Sequence, residues 1–400
     1  MLSSRCVLFA VGLTVAVLPP ALAQTLPAEP FAFGDGRLIL AGDVATTVGS
    51  SDPGFFTYGS YEHSGLRELR TGVRAQLRAH SRVFLLAELR SENRSLRPLA
   101  AYVRVRPFGQ ARVDVQAGRI PPTFGRWSRT TYARDNPLPG QPLAYQYLTS
   151  LRADAVPVSA DELLTMKGRG WLASYSIGRD TGAAGVPLVS SFEWDTGVQI
   201  TGAWKGATLS GAVTTGSLSA PRVRDDNGGK GFASRMTLAV APGVEVGASY
   251  ARGQFIGRPV LRSIGEPSGG NYVQQAEGLD VEVARGHWVT RAEAVASEWR
   301  IPLGGVSRSL RALAGSVETR YAFAPGAYAA ARLEHLTFSR IGGSAVRAAW
   351  DAPVTRFEIG GGYYLARNVI ARASVQLNDR DGGRTRTARL FGVQLLYWIG

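Results

Sequence analysis

The chain has 400 residues, with 45 Lys and Arg against 31 Asp and Glu for a formal net charge of +14, and 45% of it is apolar. Its single cysteine, Cys6, excludes a framework of disulfides and a thiolate metal centre. After residue 23 no apolar run is long enough for a membrane-spanning helix, and 48 glycines with dispersed apolar residues suit short alternating strands better than a helical core.

The N-terminus reads as a secretory signal peptide over 1–23. Arg5 gives a positive start, Cys6 to Leu18 is apolar, Pro19-Pro20 break the run, and Ala21-Leu22-Ala23 is an A-x-A cleavage site before Gln24. A lipoprotein cysteine would stand just after the cleavage site, whereas Cys6 stands at the head of the apolar run. An exported chain rarely meets nucleic acid, so the positive charge points to other partners. The only lysines are Lys167, Lys205 and Lys230. Arginine supplies the rest, and its planar fork binds carboxylates and phosphates while staying charged in any setting.

Strands are expected near 37–48, 66–79, 82–91, 97–107 and 111–119. In RELRTGVRAQLRAH (67–80), a period of two puts Leu69, Thr71, Val73, Ala75, Leu77 and Ala79 on one face. Glu68, Arg70, Gly72, Arg74, Gln76 and Arg78 fall on the other. A helical reading of the same residues gives a basic amphipathic stripe, but it must carry Thr71 and Gly72 in mid-helix. The alternation recurs at Leu99 to Arg106, at Arg112 to Ala117 and in later segments to Ile399, which favours the strand.

From 120 to 193 runs one long insert, rich in proline and in aromatics such as Phe124, Trp127, Tyr132, Tyr145 and Tyr147. A segment of this length is usually a functional lid or binding loop. Within it Ser159-Ala160-Asp161-Glu162 before Leu163-Leu164 reads as a capped short helix, and 171–177 is placed inside the loop rather than counted as a strand. Eleven strands follow, from 194–204 through 387–399.

Short breaks at His80-Ser81, 108–110, Lys205-Gly206, Pro242-Gly243, Arg285-Gly286, 324–326 and Arg367-Asn368 alternate with longer polar stretches. Those lie near 48–66, 91–97, 217–230, 254–271, 298–308, 339–351 and 379–386. Tight turns on one side and longer loops on the other are the asymmetry of an outer-membrane β-barrel. The expected fold is all-β: a transmembrane antiparallel barrel of sixteen strands, with eighteen the competing count, forming one domain over 24–400. Tyr250, Trp288, Tyr363 and Tyr397, near strand ends, read as interface girdles.

The signal peptide, strand count and long third loop resemble the 16-stranded bacterial porins, and the basic early strands look most like the phosphate-selective porin O and P family. That resemblance implies a homotrimer, an inward third loop as constriction and an arginine ladder guiding anions. Two departures stand out. Three lysines leave no central lysine cluster for phosphate, and the chain ends Tyr397-Trp398-Ile399-Gly400 rather than on an aromatic residue.

With apolar faces toward lipid, Arg70, Arg74, Arg78, Arg104, Arg106 and Arg112 would line one wall of an aqueous lumen. Arg70, Arg74 and Arg78 would then step through it at about 13 Å. Rings of arginine favour anions in a pore. Arg126, Arg129, Asp135, Asp154, Asp161 and Glu162 on the loop are the constriction candidates, with the carboxylates facing the arginines. The plainer reading pairs the wall arginines with Glu68, Glu88 and Asp114. Later strands mix Asp280, Glu282, Glu293, Glu318, Glu334 and Glu358 with Arg291, Arg320, Arg332, Arg356 and Arg372, which argues against extreme anion selectivity.

An enzyme is not expected. His63, His80, His287 and His335 have no metal-ligand spacing to one another, and His335 falls on an apolar face. Asn227-Gly-Gly-Lys230 lacks the Lys-Ser/Thr step of a phosphate loop. Asp225-Asp226-Asn227-Gly228 and Asp379-Arg380-Asp381-Gly382 are explained by turn chemistry. No metal and no cofactor are called for. The expectation is an outer-membrane porin for small hydrophilic or anionic solutes, surrounded by lipid and lipopolysaccharide. A channel for an anionic polymer or oligosaccharide, and a structural or adhesive barrel with a plugged lumen, remain as alternatives.

Overall fold

The computed structural model describes residues 28–59, 64–92, 96–108, 112–126, 132–225, 228–266 and 271–400. The expected signal peptide lies outside them, as do His63 and Trp127. Sixteen antiparallel strands close into a barrel: β1 (Leu38–Gly49), β2 (Glu68–His80), β3 (Val83–Glu92), β4 (Arg97–Val105), β5 (Val113–Ile120), β6 (Asp195–Trp204), β7 (Ala207–Thr214) and β8 (Gly231–Ala241). Then come β9 (Val244–Gln254), β10 (Val273–Arg285), β11 (Trp288–Leu303), β12 (Val306–Ala324), β13 (Ala327–Phe338), β14 (Val354–Ala366), β15 (Val369–Arg380) and β16 (Thr387–Ile399). The ring is sealed where Gly42–Gly49 of β1 pairs with Gly392–Ile399 of β16. A short strand, Phe31–Phe33, pairs with Leu38–Leu40 beside this seam, and Gly400 N–H donates to the Ala28 carbonyl, so both described ends lie on one side.

The two-residue period decides the wall. On β2, Leu69, Val73 and Leu77 are 46%, 48% and 41% exposed, whereas Gly72 is buried and Arg70 and Arg74 are half-buried. The strand reading of 67–80 is the observed one. Leu279, Leu313, Val317, Leu333, Ile359, Val375, Val393 and Leu395 continue the same outward apolar belt. Trp204, Trp288, Phe323 and Tyr363 are exposed beside the tight turns, where aromatic side chains suit a membrane interface. The ladder slips by one residue near four of these turns, at Arg78/His80, Ala239/Ala241, Ala322/Ala324 and Tyr364/Ala366. Bulges of this kind are common at barrel rims, where strand pairing ends.

The expected loop at 298–308 is instead an overhanging hairpin. β11 and β12, 16 and 19 residues long, stay paired to Leu303 and Val306. Gly304 and Gly305 turn the chain with φ of +63° and +74°, the pair of positive angles that a two-residue hairpin turn demands and glycine adopts freely. Polar residues there marked exposure to water rather than loss of the strand.

The interior is filled most densely at the loop end. Phe56 of the first loop, Tyr145, Tyr147 and Leu163 of the third, Phe255 and Val260 of the fifth, and Trp350 of the seventh share one buried cluster with Trp299, Ile301 and Leu336 of the wall. Trp350 meets Trp299 and Phe338 edge to face, with ring centres 5.9 and 4.7 Å apart.

Candidate constriction

The third loop, between β5 and β6, crosses the lumen and is tied to the wall along most of its course. Phe124 is fully buried and lies against Gly278 of β10, where a Cβ would stand 3.0 Å from its ring. Arg126 pairs with Glu245 at 3.1 Å and with Glu282, and its N–H donates to Glu293 at 2.8 Å. The Tyr145 hydroxyl also donates to Glu293, at 2.7 Å.

Further on, three neighbouring strands, β13, β14 and β15, take the loop's backbone. Tyr328 donates to the Pro137 carbonyl at 2.9 Å. Arg332 donates to the Gly140 carbonyl at 2.8 Å while pairing with Glu358 at 2.6 Å and Glu318 at 3.2 Å. Arg356 donates to the Gln141 carbonyl at 3.0 Å, and Leu143 N–H donates to Glu334 at 2.7 Å. Arg372 donates to the Ala133 carbonyl at 2.5 Å and also to that of Asn136. Arginine suits this task because one fork satisfies a carboxylate and a loop carbonyl together.

The loop's outer half is fastened to the seventh loop. Asp351 is buried and accepts N–H bonds from Ser150 at 2.6 Å and from Gly168 and Ala352 at 2.7 Å. Burial pushes its carboxyl upward from the ordinary value, against the pull of those donors.

On the β1–β4 side the loop presents Tyr132 and the single 3₁₀ turn Ala133–Asp135. The Tyr132 ring has the Arg74 guanidinium 4.9 Å and the Arg90 guanidinium 5.4 Å from its centre, and its hydroxyl donates to Glu88 at 2.6 Å. Burial raises the Asp135 carboxyl above its ordinary value, with Arg134 and Arg74 opposing the shift. The facing wall is a lattice of opposite charges. Arg70 lies 3.2 Å from Glu68 and 3.6 Å from Glu92, Arg74 lies 3.3 Å from Asp43, and Arg90 lies 3.2 Å from Glu88.

The six wall arginines therefore divide. Arg70, Arg74 and Arg104 face inward, with Arg104 donating to Gln76 at 3.2 Å. Arg78, Arg106 and Arg112 are exposed at the turn end, where Arg106 pairs with Asp114 at 3.0 Å and Arg78 donates to the Asp35 carbonyl at 3.3 Å. A continuous ladder is thus replaced by an inward group and a rim group, because alternation fixes a side chain's face but not its height.

Among the loop candidates, Arg126 and Asp135 lie inside the barrel and Arg129 lies outside the described residues. The expectation that Asp154, Asp161 and Glu162 face the arginine wall is corrected. Asp154 pairs with Arg152 at 2.9 Å, Asp161 accepts from Ser344 N–H at 2.9 Å, and Glu162 accepts from Val158 and Ser176 N–H at 2.6 and 2.7 Å. All three serve the outer crown, where Ser159 caps the expected helix Ala160–Thr165. Arg90 was missed, although Glu88 and Arg90 share the inward phase of β3. Tyr132 was noted only as an aromatic of the insert, and no spacing rule ties it to a wall residue 44 positions away.

No family model and no curated protein match the sequence. Solved structures do. OmpF of Salmonella typhi, in a complex with daunomycin, aligns at a TM-score of 0.55 and 12% identity over 90% of this chain and 97% of that one. The outer membrane channel DcaP of Acinetobacter baumannii aligns at 0.53 and 10% over 93% and 100%. An anion-selective porin from Comamonas acidovorans aligns at 0.51 and 10% over 90% and 99%. At such identities the likeness carries the fold, and the chain has the fold of a 16-stranded outer-membrane porin.

Proposed function

We propose that the protein is an outer-membrane porin that passes small hydrophilic solutes through a slot between its third loop and the β1–β4 wall, with a modest preference for anions. The observation that carries this reading is the placement of Tyr132 against Arg74 and Arg90, which sets a loop edge across a polar, charged wall inside a closed barrel. The slot arginines are paired with acids, so they offer hydrogen-bond donors to a solute more than a one-sign field. The bias toward anions comes from the rim, where Arg78, Arg82, Arg106, Arg112 and Arg285 are exposed. A charged mouth raises the local concentration of counter-ions. Residues 120–193 act as the constriction, the leader over 1–23 is removed on export, and the mature barrel assembles as a homotrimer. One of the solved forms of OmpT from Vibrio cholerae is a trimer.

Planar-bilayer recording of the purified protein tests this. A steady ohmic conductance with a zero-current potential of anion sign in a KCl gradient is expected. No conductance overturns the channel. The packed cluster around Trp299 and Trp350 at the loop end favours a second reading, a structural barrel with a plugged lumen, and that null result would establish it.

A further inference from the structure

On the turn side of the slot, one guanidinium of the lumen has no acid beside it. Arg320 of β12 pairs with buried Ala330 on the inward phase and is half-buried. Its Nε is shielded from solvent without a hydrogen bond. The acids of the inward wall nearby are already taken among the described residues. Glu318 pairs with Arg332 at 3.2 Å and Arg291 at 3.4 Å, and Asp43 pairs with Arg74 at 3.3 Å. A shielded donor without an acceptor is costly, and in a native fold such a group calls for an explanation.

Arg320 instead faces aromatic rings. Its guanidinium carbon lies 5.4 Å from the centre of Tyr328 on β13. Tyr364 of β14 follows at 6.5 Å, and Trp398 of β16 at a further 6.5 Å, edge to face. All three are on the inward phase: Tyr328 is opposite Gly362, Tyr364 opposite buried Ile370, and Trp398 opposite buried Asp43. A Cβ at Gly362 would stand 2.6 Å from the Tyr328 hydroxyl, so glycine there lets the ring lie flat against the wall. Tyr328 is buried under the third loop, but Tyr364 is 36% exposed and Trp398 half-buried, so the free ring faces of this ledge are theirs. Trp288 and Tyr363 on the outer face meet the membrane interface. The ledge faces the lumen, and that role does not account for it.

We propose that the ledge binds organic anions that carry a flat ring, with the ring on Tyr364 and Trp398 and the carboxylate on Arg320. A guanidinium fork matches a carboxylate geometrically, and aromatic rings attract one another at these separations. Inorganic anions would use Arg320 alone and neutral sugars the rings alone, so neither draws on the whole ledge. The ledge acts on solutes inside the channel proposed above and rests on that reading.

Saturation-transfer NMR on the detergent-purified full barrel tests this with benzoate, and with acetate and benzyl alcohol as probes that lack the ring or the charge. Benzoate should bind at least about tenfold more tightly than either, the scale of one charge-assisted contact. Arg320→Gln should weaken benzoate about tenfold, and Arg320→Lys, which keeps the charge and loses the fork, should fall between. Tyr364→Ala should weaken benzoate about fivefold and leave acetate unchanged. The variants should keep the heat-sensitive gel mobility of the parent, which shows that they fold. Acetate bound as tightly as benzoate, or benzoate bound equally by the parent and by Arg320→Gln and Tyr364→Ala, overturns the proposal. A barrel that conducts but binds no benzoate sinks the ledge alone, and one that binds benzoate without conducting sinks the channel reading alone.

Discussion

The hydroxyl of Tyr132 donates a 2.6 Å hydrogen bond to Glu88, so a loop that leaves the barrel after β5 is pinned to β3. The Tyr132 ring fills the space between Arg74 and Arg90 that would otherwise hold water and ions. Tyr132→Ala should therefore raise single-channel conductance severalfold and admit larger neutral sugars in a liposome-swelling assay. Tyr132→Phe keeps the ring and loses one bond to a charged acceptor, worth about 1.5–3 kcal/mol, so it should leave conductance near the parent and increase current noise. An unchanged Tyr132→Ala pore would place the constriction elsewhere.

Acidification should strengthen the preference for anions. A carboxyl whose value is raised by burial takes up its proton at a higher pH than an exposed one, so Asp135 loses its negative charge early as pH falls. The zero-current potential in a KCl gradient, followed from pH 7 to pH 4, should move toward chloride. Asp135→Asn should show part of that displacement already at pH 7 and a flatter pH response. Identical titrations for the two proteins would remove Asp135 from the conducting path.

Glu358 is fully buried and accepts from Arg332, from Ser374 and from Gly140 N–H at 2.6, 2.6 and 3.3 Å. Glu358→Gln strips the charge from a desolvated pair, a change that costs about 3–5 kcal/mol. Thermal unfolding in detergent should begin at a clearly lower temperature. Glu298→Gln, in the exposed pair with Arg311, should move it little, since surface pairs contribute up to about 1 kcal/mol.

Asp351 holds two separate points of the third loop by their N–H groups. Asp351→Ala should cost about 3 kcal/mol locally, the loss of charge-assisted bonds discounted for non-additivity. Limited proteolysis should then cut between residues 150 and 170, where the parent resists. Asp351→Asn keeps one acceptor oxygen and should fall between them. Resistance in both variants would mean that the apolar cluster alone keeps the loop in place.

The barrel was legible because its wall obeys one local rule. Each strand must show lipid one side chain in two, and Leu69, Val73 and Leu77 announce that rule without help from the rest of the chain. The hairpin tip at Gly304-Gly305 was not legible as strand, since above the membrane the apolar side switches from the outward face to the inward one, at Ile301, Leu303 and Leu310, while the backbone pairing persists. The constriction was legible only in part. Period two puts Arg70 and Arg74 inside, but it cannot say that Asp43 meets Arg74 from a neighbouring strand, because that depends on register. Asp161 and Glu162 were misassigned for a related reason. A carboxylate two or three residues after Ser159 finds backbone N–H groups nearby before it finds an arginine across a pore.

The seam between β1 and β16 gives the third loop a second task. Its anchors stand on both sides of that join, at Glu88 on β3 and at Arg372 on β15, with Arg134 reaching the Gly400 carbonyl beside it. Those groups converge only after the first and last strands have met. Until then the barrel is an open sheet with two unpaired edges, which lipid does not tolerate. The loop can therefore bind its full set of partners only once the ring exists, and by binding them it holds the ring shut. Closure and the seating of the loop become a single event in assembly, so a protein whose loop is loosened should also be one whose barrel opens more readily along that one line.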